Sequence, residues 1–349
     1  MFGGLGPARA RRKSKPWIGL AHGCRRGLRH FSRVKGEKWW RAGEILVERG
    51  FSGPPNVQNM VMRVALVAHR LNETNLRLVE AAPPGVDIEI VPPSRILGLL
   101  GPDDAALARL DVLPSLDGIE PGIWEIGRLE ADGVQVLNRL RTLLATHDKL
   151  QTSRTLHAAS LPHPRTAHMI AASAITPIDP PVVVKPRFGS WGRDVTLCES
   201  RADLRACLDE LSTRTWFRRQ GVLVQELIPP LGHDLRLVVA GGQVVGAVRR
   251  RAAEGEWRTN VALGAEREST EPPQAAREIA VAAAAAVEGD LVGVDLMPTT
   301  DGGWVVIEVN GAVEFTDEYS LGRDIFSAAL DALLAALADS RERAVAALA

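Results

Sequence analysis

Val292-Gly293-Val294-Asp295-Leu296 is followed, thirteen residues after its acid, by Glu308 in Val306-Ile307-Glu308-Val309-Asn310. Both fragments read as strands, and Asp301-Gly302-Gly303 between them reads as the turn of a hairpin. Side chains two apart on a strand share a face, so Glu308 and Asn310 project together and Asp295 on the partner strand can meet them. The flanking Val292, Val294, Leu296, Val305, Ile307 and Val309 are strongly apolar. Acids on such strands are costly unless something pairs with them, which disfavours a merely solvated hairpin. Two carboxylates and an amide oxygen form a hard-oxygen set suited to Mg²⁺ that also keeps phosphate and water ligands.

Three segments upstream bear on the same chemistry. In Val182-Val183-Val184-Lys185-Pro186-Arg187-Phe188-Gly189-Ser190-Trp191-Gly192-Arg193, a lysine ends an apolar strand and a glycine-bearing loop follows. The lysine supplies a point charge for phosphate, and loop amides with Arg193 can close over it. The GxxxxGK[ST] order of a Walker A loop is absent. Val222 to Ile228 reads as a strand leaving its sheet at Pro229-Pro230, where backbone groups could meet an adenine edge and Asp234 could accept from ribose hydroxyls; ordinary strands look much the same. Arg249-Arg250-Arg251, with Arg258 and Asn260 further on, suits a site that handles several negative charges. Standing alone it would read slightly better as a solvated basic face.

Around these segments strands and helices alternate. Val64 to Ala68 and Val86 to Val91 flank a helix at Asn75 to Ala82, a βαβ unit that implies a parallel sheet. Leu137 to Leu161 reads mostly as helix, ending before Pro162 and Pro164. A second unit runs from about 170 to 220 and a third from Val222 onward, with an alanine-rich helix at Arg277 to Val287 and a closing helix or two from Ile325. Arg70, Asn72, Asn75 and Arg77 follow the first strand, where an open α/β sheet tends to bind ligands, although ordinary loop polarity explains them equally well. His163 and His168 have no partner at metal-ligand spacing and read as structural.

The totals exclude several classes. The 349 residues balance 42 basic against 42 acidic side chains, so the whole chain offers no field for nucleic acid or a membrane surface. Three scattered cysteines, Cys24, Cys198 and Cys207, make neither a disulfide framework nor a zinc site, and fit a reducing cytoplasm. No apolar run reaches the roughly 20 residues of a membrane span. Residues 1–61 are basic and hold Trp17, Trp39 and Trp40. They read as a disordered leader, or as sequence upstream of a start at Met62, in preference to a nucleic-acid arm.

In this order Lys149, Lys185, the 225–228 hinge, Asp234, Arg250 through Asn260, Asp295 and Glu308-x-Asn310 resemble the ATP-grasp ligases. They look most like the RimK-type branch, with its α-L-glutamate ligases and the LysX ligase of lysine biosynthesis. His147-Asp148-Lys149-Leu150 leading to Leu161-Pro162-His163-Pro164-Arg165-Thr166 is part of the likeness, which spans about Met62 to Ser327. It implies an α/β ATP-grasp fold: a parallel pre-ATP-grasp domain over 62–145, a lid subdomain over 146–220 and a metal-binding subdomain over 221–349. It implies that Lys149 and Lys185 hold ATP phosphates, that Gln225, Glu226, Leu227 and Ile228 meet adenine, and that Asp234 meets ribose. Arg250, Arg258 and Asn260 fall near the acyl-phosphate site, and Asp295, Glu308 and Asn310 match ligands of two Mg²⁺ ions, with Mn²⁺ an equivalent. The implied reaction moves the γ-phosphate to a carboxylate, which an amine then attacks; the acceptor is an amino acid or the C-terminus of a peptide or protein, and the enzyme a cytoplasmic one that self-associates.

Two departures stand out. After Asn260, where family members carry His or Arg and a Gly-Gly pair, the chain reads Val261-Ala262-Leu263-Gly264-Ala265. After Asn310 it reads Gly311-Ala312-Val313-Glu314-Phe315, nearer to LysX than to the Ser-Pro-Gly of RimK-type glutamate ligases. Against that second departure, the ordered motifs keep a RimK-family α-L-glutamate ligase as the first choice. The alternatives are a LysX-like ligase acting on a carrier protein's terminal glutamate and a nucleotide-binding module that ligates nothing.

Overall fold

The computed structural model describes residues 62–348, so the basic arm and the reading placed on it lie outside the described residues. The first sheet is parallel with order β2-β1-β3-β4. It comprises β1 (Met62–Val67), β2 (Val86–Val91), β3 (Ala105–Ala108) and β4 (Gln135–Leu137), with α1 (Glu73–Glu80) and α2 (Ile123–Ala131) between strands. Val64 and Leu66 bury on one face of β1, Ala65 and Val67 on the other. A strand covered on both sides must be apolar at every position, which is why β1 shows no alternation. α1 starts earlier than the periodicity suggests because the Asn72 side chain caps it, accepting from the Asn75 amide at 2.9 Å.

The helix expected over 137–161 is two helices, α3 (Leu140–His147) and α4 (Lys149–Ala158). Asp148 sits between them with ψ 98° and accepts from the Leu150 amide at 3.1 Å, which caps α4. Arg187 clamps the same carboxylate with bonds of 2.7 and 2.5 Å. The corner makes Lys149 the first residue of a helix instead of a mid-helix residue.

The second sheet is antiparallel, order β5-β8-β6-β7. Its strands are β5 (Thr166–Met169), β6 (Val182–Pro186), β7 (Thr196–Cys198) and β8 (Val222–Glu226), backed by α5 (Arg201–Leu211) and by α6 (Thr215–Gln220). Val222, with which the sequence reading opens the third unit, begins β8, and β8 pairs with β5 and β6 of this second sheet.

The third sheet is also antiparallel, order β11-β10-β9-β12-β13. It contains β9 (His233–Ala240), β10 (Gln243–Arg251), β11 (Glu266–Ser269), β12 (Leu291–Pro298) and β13 (Trp304–Asn310). On one face lies α7 (Gln274–Ala286), whose Ala276, Ala280, Ala283 and Ala284 are buried against the strands. The chain closes with one long helix, α8 (Ile325–Leu348). Phe326, Leu330, Leu333 and Leu337 of α8 share a core with Val64 and Leu66 of β1 and with Val238 and Val248 of the third sheet. The closing helix thus joins the parallel sheet to the third sheet. None of the described helices is long and apolar enough to cross a membrane.

Candidate active site

Strand register places the acids. Asp295 pairs with Glu308 across β12–β13 and with Arg236 across β12–β9, while Gly293 pairs with Asn310. Directly paired residues project to the same face, so Arg236, Asp295 and Glu308 stand in a row across three strands. Arg236 grips Asp295 with two bonds of 2.6 Å, and Arg250 on β10 reaches the same carboxylate at 3.0 Å. Burial pushes the Asp295 carboxyl up, but the two guanidinium groups outweigh it and hold the group down at about 2.

The second sheet faces this row. Lys149 donates to Glu308 Oε1 and to the Gly189 carbonyl, each at 2.5 Å. Its backbone amide is fixed to the Arg187 carbonyl at 3.0 Å, so corner, clamp and loop together aim the side chain. Lys185, at the end of β6, is buried. Its ammonium is lowered to about 8, first by burial and then by Lys149, with Glu308 and Asp295 pulling the other way.

These groups line one open cleft. Gln225, Glu226, Leu227 and Ile228 line it, as do Asp234, Arg250, Arg258 and Asn260; Asn310 instead lines a smaller adjoining cavity. All thirteen residues singled out from the sequence therefore border one continuous region. Four of them also carry bonds within the protein. Asp234, expected at ribose, is buried and taken up by Arg250, whose Nε sits at 2.7 Å, and by the Thr259 hydroxyl. Arg250 bridges two buried acids, Asp234 and Asp295, and is raised well above its ordinary value although burial opposes this. Glu226 pairs with Arg165 at 2.6 Å. Arg258 is tied to Glu256 and donates to the Val195 carbonyl at 3.2 Å, which joins the third sheet to the loop after β6.

Further residues border the site or lie close to it. Arg236 was legible, since it lies two residues from Asp234 on the same strand face. Trp191 has φ +59°, with Arg70 5.5 Å and Arg193 5.0 Å from its ring, and no local pattern announces this. Asn72 and Asn75 are spent on the fold: Asn72 donates to Glu314 at 2.9 Å and Asn75 to the Arg70 carbonyl at 2.9 Å. Arg77 pairs with Asp317.

Among the described residues no cluster of three or more His, Cys, Asp or Glu could hold a metal. The oxygen set of Asp295, Glu308 and Asn310 nevertheless fits a hard divalent ion whose other ligands come from phosphate and water. The Asn310 amide nitrogen is buried without a hydrogen-bond partner, so the bonding of this side chain is incomplete as it stands.

Two antiparallel sheets closing on one cleft, with lysines from one side and acids from the other, define an ATP-dependent ligase of the ATP-grasp fold. The RimK-like ATP-grasp domain matches residues 143–333, and the chain belongs to that family of amide-forming ligases. The glutamate–LysW ligase ArgX of Sulfurisphaera tokodaii is 29% identical over 219 residues, 61% of this chain and 78% of that protein. The α-aminoadipate–LysW ligase LysX of Saccharolobus solfataricus is 31% identical over 193 residues, 54% of this chain and 69% of that protein. A RimK domain ATP-grasp protein from Sphaerobacter thermophilus superposes with a TM-score of 0.58 at 27% identity, covering 78% of this chain and 99% of its own.

The Lys185 environment predicts a pH effect on nucleotide binding. The lysine is charged below about 8 and loses its charge above it. Phosphate binding raises the value again, so ATP affinity should fall with rising pH, by less than about tenfold per unit. Calorimetry between neutral pH and pH 9 should show this weakening in the native chain and not in Lys185→Met. A slope shared by both would place the titrating group elsewhere.

Proposed function

We propose that the chain joins the amine of glutamate, or of an amino acid like it, to a carboxylate at the end of a peptide or carrier protein, through an acyl phosphate made with ATP. The relatives' names, which pair glutamate or α-aminoadipate with LysW, support this substrate class. One observation carries the chemistry: Asp295 and Glu308 pair across adjacent strands while Lys149, from the facing side, reaches Glu308 at 2.5 Å.

In this reading Lys149 and Lys185 neutralise the phosphates, and the 225–228 strand end takes the adenine edge. Asp295, Glu308 and Asn310 would hold two Mg²⁺ or Mn²⁺ ions, which would supply charge neutralisation at the transferring phosphoryl group. Arg250 positions Asp295 from behind. Arg258 fixes the loop after β6 over the phosphates, with Asn260 beside it. Catalysis is then positioning and charge neutralisation, with no covalent protein intermediate. Buried Cys198 and half-buried Cys207 are free thiols, which suits a reducing cytoplasm.

The test is ADP release with Mg²⁺-ATP, L-glutamate and a pool of glutamyl-terminated peptides. Release should require both the amine and the acid. ADP that forms at the same rate without either, or never forms with any pair, would overturn the substrate assignment.

A further inference from the structure

The scheme above leaves one carboxylate of the adjoining cavity without a role. Asp111 lies just beyond the carboxyl end of β3, in the crevice where open parallel sheets receive ligands. It lines a small open cavity together with Lys149, Ser190, Glu308, Asn310 and Gly311. The parallel sheet thus presents an acid across a small space from the phosphate and metal residues.

Its orientation is fixed. Asp111 Oδ1 accepts from the Val112 amide at 2.7 Å and Oδ2 accepts from Arg70 at 3.1 Å. Its own amide donates to Glu120 at 2.8 Å, and the Glu120 amide donates to the Asp111 carbonyl at 2.7 Å. The carboxylate keeps about a fifth of its side-chain surface open. The charged groups around it are Arg70 after β1, Arg109 after β3, Glu120 before α2, His147 at the end of α3, Lys149 on α4 and Glu308 on β13. Of these, His147 is buried, with Nδ1 2.7 Å from the Leu143 carbonyl; Glu120 is buried behind Asp111; and Glu308 is paired with Lys149.

An amino acid brings its amine as an ammonium, which has no lone pair. It must lose a proton before it can attack an acyl phosphate. Resting on the ligase reading, we propose that Asp111 binds the incoming ammonium and takes its first proton. The freed lone pair forms the C–N bond, and the C–O bond to phosphate breaks with its electron pair leaving on the phosphate. The second nitrogen proton goes to the departing phosphate, giving amide and hydrogen phosphate, and Asp111 returns its proton to water.

Hydroxylamine separates this role from a structural one, because near neutral pH it is already uncharged and needs no proton acceptor. With Mg²⁺-ATP and a glutamyl-terminated peptide as the acid, Asp111→Asn should lower kcat/KM for L-glutamate by about 100-fold. Hydroxamate formation by the same variant should fall far less. The glutamate rate should recover by about tenfold per pH unit as free amine accumulates, a slope the native enzyme lacks. If Asp111→Asn fails to fold, Asp111→Glu carries the same comparison, with glutamate slowed more than hydroxylamine. Equal losses with both nucleophiles, or no loss with glutamate, overturn the proposal. Native enzyme that makes no hydroxamate removes the ligase reading and this assignment with it; hydroxamate made equally well by native and variant chains, with glutamate unaffected in both, removes only the role of Asp111.

Discussion

Glu308→Gln should lower ADP release in the complete ligation mixture by about 1000-fold. The substitution keeps the shape and a carbonyl oxygen but removes one of the two anions that line this side of the cleft. A divalent ion held by two carboxylates and an amide would then keep a single carboxylate, and that one, Asp295, is already shared with Arg236 and Arg250. The fold should tolerate the change: the Lys149–Glu308 pair is partly exposed, and such pairs are worth about 1 kcal/mol or less. Freed from Glu308, Lys149 remains a cation in the cleft, so ATP binding measured without metal should hold or tighten. Asp301→Asn, at the exposed turn of the same hairpin, is the control and should leave turnover intact. A Glu308→Gln enzyme that keeps a tenth of native turnover at limiting Mg²⁺ would remove Glu308 from the ion site.

The parts of this site that are local in the chain were legible. The hairpin carrying Asp295, Glu308 and Asn310 follows from two-residue periodicity and a glycine turn, and the structure aligns these strands with Asp295 opposite Glu308. The likeness of the ordered motifs to ATP-grasp ligases holds at the level of the family. What escaped was non-local. Residues 140–158 have helical character throughout, and the break at Asp148 is stabilised by Arg187, 39 positions away. The pairing of Asp234 and Asp295 with Arg250 depends on β10, β9 and β12 lying side by side, an order that periodicity cannot supply. β3 and β4 are too short and too plain, Ala105-Ala106-Leu107-Ala108 in one case, to stand out as strands. Asp111 is inconspicuous for the same reason, since its meaning comes from the cavity across which it faces Glu308. Gly311 shows a further limit. A Cβ there would come within 2.4 Å of the Thr146 hydroxyl, a close approach between segments far apart in the chain.

Arg250→Met should be the most destabilising single change in the third sheet, by about 3 to 5 kcal/mol. Arg250 is buried and is the common partner of Asp234 and Asp295. Its loss leaves Asp295 with Arg236 but strips Asp234 of its guanidinium, leaving only the Thr259 hydroxyl. Breaking a buried pair on one side costs more than the pair contributes, because the remaining charge stays desolvated. Adding Asp234→Asn should therefore recover part of the loss, and the recovery measures the coupling. The pH dependence has a definite sign. Asp295 lies at about 2 in the folded chain against an ordinary 3.8, so its stabilisation is present above the ordinary value and is lost as pH falls toward 2. Without Arg250 the group is less depressed, so the variant has less to lose on acidification. The stability gap between native and variant chains, read from denaturant melts, should be widest near neutral pH and narrow as pH falls through that window. A gap that does not change with pH would mean that Arg250 acts through packing alone and that Asp295 owes its low value to Arg236.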